Sequence, residues 1–117
     1  GQYAATYHWQ TTFPASNCSY PKGHFSQSVT VPLPNWNTGF NEFAVERSTS
    51  HVAFVLNGKT TLNITRETSP PPVFWDVEWY LILNTALGGG WPGEPNSSTV
   101  FPAHHSIDYV RVSRRQT

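Results

Sequence analysis

Tyr80-Leu81-Ile82-Leu83-Asn84-Thr85-Ala86-Leu87-Gly88-Gly89-Gly90-Trp91-Pro92-Gly93 is the stretch on which the reading of this chain turns. Its first half is an apolar, β-prone run. Its second half, with three consecutive glycines and then Trp-Pro-Gly, is a loop by composition, which continues to about Ser98. An apolar strand that ends in a glycine-rich loop presenting a Trp is a plausible edge for a binding cleft only if the rest of the chain is also β.

The flanking sequence meets that condition. Helical periodicity is absent, and ten Pro and eight Gly divide the 117 residues into short segments. Strands are expected near Ala5–Phe13, Phe25–Val31, Phe40–Arg47, His51–Asn57, Thr60–Thr65, Glu78–Ala86 and Ser106–Ser113. In the third, Phe43 and Val45 share a face with Asn41 and Arg47, and Glu42 and Glu46 share the other. His51–Asn57 is nearly continuous in apolar character, as expected of a strand covered on both sides. Asn57-Gly58 predicts a tight hairpin, because a type I′ turn needs positive φ at both central positions. Pro70-Pro71-Pro72 forces an extended link that cannot donate ladder hydrogen bonds. The expected fold class is all-β, an antiparallel sandwich of one domain. About seven strands are few for a two-sheet jelly roll, which points to missing partners.

Composition excludes several functions. Seven Lys+Arg balance seven Asp+Glu, which argues against nucleic acid or an acidic membrane surface as the partner, because both need a basic stripe. No run approaches the roughly 18 apolar residues of a membrane span. Five Trp and five Tyr exceed what so small a core can bury, and flat rings at a surface suit stacking on sugars. The start, GQYAATYHW, is neither a signal peptide nor an initiator start, so the chain is expected to be processed or cut from something larger. Cys18, the single cysteine, excludes an internal disulfide; it either pairs outside the chain or is a buried thiol. Sequons at Asn17, Asn63 and Asn96 are candidate glycosylation sites and favour an extracellular, secreted protein.

Cleavage of a glycosidic bond needs two carboxyl groups flanking it. Asp76 and Glu78 form the one acidic pair at i, i+2, beside Trp75, Trp79 and Tyr80. Their place just after the triple Pro favours a rim or structural role. Of the histidines at 8, 24, 51, 104 and 105, the adjacent last two point to opposite faces of a strand. No H-x-H or C-x-x-C spacing supports zinc. No G-x-S-x-G turn and no phosphate-cradling loop occurs either.

The Tyr80–Gly93 pattern resembles the laminarinase-type branch of glycoside hydrolase family 16, in which an LILN-A-GG strand leads into a W-P-G loop. Two further blocks agree in order. Phe40-Asn41-Glu42-Phe43-Ala44-Val45-Glu46-Arg47 with Val52–Gly58 resembles the family's F-x-x-Y-A-V-E-W … I-x-F-Y-V-D-G strand pair. Phe101-Pro102 with Ile107-Asp108-Tyr109-Val110-Arg111-Val112 resembles its closing F-P … DYVRVY strand. Thr6-Tyr7-His8-Trp9 resembles the strand that follows the catalytic one. Asn57 stands where Asp is usual and Arg47 where Trp is common, marking a divergent member.

The resemblance implies a concanavalin-like jelly roll, expected to be incomplete here, and retaining hydrolysis of β-1,3- or mixed-linkage β-glucans. The family's E-x-D-x-E or E-x-D-x-x-E motif is not in the 117 residues. Residues 1–117 are therefore expected to be the C-terminal portion of one such domain, inactive alone and in need of its N-terminal half or another chain. The alternative is a non-catalytic, lectin-like glucan-binding module. Carried over by position, His8 and Trp9 line the cleft, Asn84 points into it and Trp91 stacks on sugar. No cofactor and no metal are expected. Asp108 is a weak candidate for a structural Ca²⁺ whose other ligands lie in the complete domain.

Overall fold

The computed structural model describes residues 1–10, 24–72, 78–91 and 93–114. They form two compact units, Gly1–Glu78 and Trp79–Thr117. The first holds five strands: β1 (Gln2–Gln10), β2 (His24–Pro32), β3 (Phe43–Arg47), β4 (His51–Leu56) and β5 (Lys59–Thr65). No helix occurs among the described residues, and every pairing is antiparallel. The all-β expectation is met, in a form compatible with part of a jelly-roll sandwich.

β1 and β2 form a two-stranded ribbon, and β3-β4-β5 form a three-stranded sheet. β1 and β5 carry their buried residues at every second position, because successive side chains point to opposite faces, whereas the central strand β4 buries Val52, Ala53, Val55 and Leu56 on both of its faces. From the ribbon come Ala5, Tyr7 and Trp9, and from the sheet Val52, Leu62 and Ile64. These six residues make one core between the two layers, with Tyr3, Phe25, Val29 and Phe54 packed around it. Val52 and Ile64 are paired across β4 and β5 and both are 0% exposed.

The β4–β5 hairpin turns on Asn57 (φ 49°) and Gly58 (φ 77°), as the Asn-Gly pair predicts. Asn57 Oδ1 accepts a hydrogen bond from the Glu42 N–H at 2.8 Å, which ties the turn to the chain entering β3. Between Phe54 and Val55 the register shifts, for Val55 faces Thr60 while Phe54 faces Leu62. Thr61 is the extra residue, and its hydroxyl donates to the Phe54 carbonyl at 3.1 Å. This β-bulge puts Leu62 and Ile64 on the core face opposite Phe54 and Val52.

The second unit departs from expectation. Among the described residues, neither Glu78–Ala86 nor Ser106–Ser113 pairs into a sheet. Both are rich in β-prone residues, but a strand exists only where a neighbour completes its hydrogen-bond ladder. Their apolar side chains stay in water, with Tyr80 84% and Ile82 72% exposed. The expected Phe40–Arg47 strand begins three residues later, at Phe43. Residues 11–13 of the expected first strand lie outside the described residues.

Candidate functional site

Strand alternation gives the β1–β2 ribbon two unlike faces. Opposite the apolar face lie Thr6, His8 and Gln10 of β1 and His24, Ser26 and Ser28 of β2. In register His8 faces Ser26, and Gln10 faces His24. All six are uncharged hydrogen-bonding side chains when the imidazoles are neutral, a composition suited to the hydroxyls of a sugar. The two imidazoles meet diagonally. His8 Nδ1 and His24 Nε2 share a hydrogen bond at 2.9 Å, one ring donating and the other accepting, with ring centres 5.0 Å apart.

Trp9 points the other way. It is 5% exposed, its ring lies between those of Tyr7 and Phe25, and its Nε1–H donates to the Pro70 carbonyl at 3.1 Å. Its ring faces are thus occupied by the core. His8 is exposed, so the structure gives these adjacent residues separate surroundings.

A shallow depression of about 570 Å³ adjoins the core side of β2, where Gln27, Ser69 and Glu67 meet the edge of Trp9. A hydrogen bond from the Thr65 side chain, and secondarily one from its own backbone N–H, lowers the Glu67 carboxyl from its ordinary value. A general acid needs the opposite shift, so Glu67 is a carboxylate that accepts hydrogen bonds. The buried Tyr7 hydroxyl is pushed up by burial, against a smaller lowering by Arg47, and stays protonated.

In the second unit the glycine-rich loop is closed by its own backbone. The Gly93 N–H donates to the Gly89 carbonyl at 2.9 Å, and the Gly89 N–H donates to Glu94 Oε1 at 3.1 Å. Gly89 has φ 113°, a conformation open in practice only to glycine. The closed loop leaves Trp91 89% exposed at its tip. Asn84 is exposed, and next to it Thr85 Oγ1 and His105 Nδ1 lie 2.7 Å apart. Glu94, Thr85 and His105 carried no signal in the sequence alone. The spacing of Glu94 from the glycines becomes meaningful only once the loop closes.

Asp108 is exposed, and no group of three or more His, Cys, Asp or Glu that could hold a metal occurs among the described residues. Glu78 is exposed, while its expected companion Asp76 lies outside the described residues, as do Asn17 and Cys18. Asn63 is exposed on β5. Asn96 is exposed in a turn, where its Oδ1 accepts from the Ser98 N–H at 2.9 Å and the Ser98 hydroxyl at 2.6 Å.

Glucan endo-1,3-beta-glucosidase A1 of Niallia circulans is 26% identical over 99% of this chain and 17% of its own length. The chain is glycoside-hydrolase-like in sequence. Beta-glucanase of Rhodothermus marinus is 28% identical over 73% of this chain and 32% of its own. Keratan-sulfate endo-1,4-beta-galactosidase of Sphingobacterium multivorum is 34% identical over 64% and 18%. The chain thus spans between 17% and 32% of the length of these relatives. No family model and no solved structure matches.

Proposed function

We propose that this chain is a glucan-binding portion of a laminarinase-type, family 16 retaining endo-β-glucanase, acting on β-1,3- or mixed-linkage glucan outside the cell. The observation that carries the reading is likeness along 99% of the chain to a protein named as a glucan endo-1,3-beta-glucosidase. The polar ribbon face bearing His8 and the exposed Trp91 support it. Glucan presents equatorial hydroxyls at its rim and apolar C–H faces, so hydrogen-bonding side chains and an open indole ring match its two kinds of surface. Trp9 enters this reading as the residue that holds the ribbon in place.

Within these residues the proposed role is binding, not cleavage. Retaining hydrolysis requires two carboxyl groups about 5–5.5 Å apart, one of them able to hold a proton. The 117 residues contain no E-x-D-x-E or E-x-D-x-x-E sequence, and Glu67 is shifted the wrong way for an acid. Binding needs no cofactor. The second reading is a glucan-binding module without hydrolytic activity. The apolar side chains exposed in residues 79–117 support a further chain or segment covering them in the working protein.

Affinity electrophoresis in gels containing laminarin or mixed-linkage glucan tests the binding role. Retardation by either glucan is expected, weakened roughly fivefold or more by Trp91→Ala or His8→Ala. An unretarded, folded protein would sink the proposal. A reducing-sugar assay run alongside is expected to show no turnover; robust release of sugar would overturn the assignment of binding alone.

A further inference from the structure

We propose that His8 and His24 form a two-histidine site for a divalent first-row transition metal, with Cu²⁺ bound most tightly. The inference stands on the register of the ribbon and is independent of the glucan reading.

The antiparallel pairing sets Gln10 opposite His24 and Ser26 opposite His8, so the two imidazoles lean toward each other across one diagonal of the same face. Their facing nitrogens, Nδ1 of His8 and Nε2 of His24, are 2.9 Å apart. With metal–imidazole bonds of about 2.0–2.1 Å, two nitrogens at a right angle on one ion stand about 2.9 Å apart, and two at the tetrahedral angle about 3.4 Å. The hydrogen bond thus already holds the two nitrogens within the span that one ion bridges, and a small rotation of the rings would converge their lone pairs. The general order of affinities of nitrogen ligands, with Cu²⁺ highest, sets the expected preference.

The proton balance is simple. A neutral imidazole has one lone pair on nitrogen, and in the present contact one ring gives its proton to the hydrogen bond. When that ring passes to its other tautomer, the proton moves to the outward nitrogen and both inward nitrogens offer lone pairs. No proton need leave a neutral pair. The described neighbours on this face, Thr6, Gln10, Ser26 and Ser28, carry no charge that would repel a cation. The ion would have two protein nitrogens, with water completing its coordination.

The site is tested by isothermal titration of the untagged protein with CuSO₄, NiCl₂ and ZnCl₂ separately, in a buffer that does not bind metals. One ion per chain is expected, with Cu²⁺ tightest. His8→Asn and His24→Asn should each weaken Cu²⁺ and Ni²⁺ at least about tenfold, since each removes a prepositioned second ligand. His105→Asn should leave both affinities unchanged. Far-UV circular dichroism identifies variants that fold, and His8→Gln replaces His8→Asn if the latter does not. Cu²⁺ affinity unchanged in the folded His8 and His24 variants overturns the site. Zn²⁺ binding tighter than Cu²⁺ overturns the expected preference.

Discussion

Replacing Trp9 by Phe separates two roles that its sequence position leaves entangled. As a cleft residue, Trp9 would contribute to glucan binding and little to stability. As the structure has it, the reverse holds. A buried aromatic side chain removes about 150–250 Å² from water. At about 25 cal/mol per Å², that is an upper limit of about 4–6 kcal/mol. Trp9→Ala should therefore cost about 3–5 kcal/mol, enough to unfold a small domain outright. Phe keeps most of the ring area between Tyr7 and Phe25. It loses the donor at 3.1 Å to the Pro70 carbonyl, worth about 1 kcal/mol, together with part of the indole area. The expected loss is about 1–2 kcal/mol, read as a lower urea midpoint with an unchanged slope. Retardation by laminarin should stay within twofold of the parent. A Trp9→Phe protein of parental stability whose glucan affinity has fallen tenfold would refute the placement of Trp9 in the core.

Asn57→Ala should cost about 2 kcal/mol, from a non-glycine residue held at φ 49° and the lost bond to the Glu42 N–H. Asn57→Gly keeps the conformation and should cost less; equal losses in urea unfolding would show that backbone conformation is not the cause. Ile64→Val should cost about 1 kcal/mol, whereas Val112→Ala, at a side chain 84% exposed, should change stability by less than about 0.5 kcal/mol. Burial raises the Tyr7 hydroxyl above its ordinary value of about 10. The neutral form is then favoured in the folded state, so this contribution is complete below about pH 10 and is lost as pH rises through the raised value. Urea midpoints from about pH 9 to about pH 11 should fall less steeply in Tyr7→Phe than in the parent; parallel curves would remove Tyr7 from the account.

Some of this molecule is legible in its residues. Asn57-Gly58 identifies its hairpin because few residue pairs tolerate that backbone, whereas the alternation around β3 says less, since Phe43 and Val45 both stay more than half exposed. The opposite orientations of His8 and Trp9 are legible too, since adjacent strand residues cannot share a face. The family likeness, which treats both as cleft residues, conceals that. The approach of His24 to His8 depends on the register of two strands 16 positions apart, and no local spacing encodes it. Glu78–Ala86 and Ser106–Ser113 show the limit of propensity. Side chains can favour an extended backbone, but a sheet needs a neighbour that propensity does not supply.

The bulge at Thr61 turns β5 into a reading frame. Were Thr61 drawn into the ladder opposite Phe54, its successors would fall out of phase, so that Leu62 and Ile64 faced Ala53 and His51 and the polar Asn63 faced Val52. Deleting one residue between Gly58 and Leu62 is therefore absorbed by loss of the bulge, whereas inserting one inverts the strand unless the bulge grows by a residue. Length variation among homologous hairpins of this kind should accordingly come in steps of two, and an odd step should be accompanied by the loss or gain of a bulge.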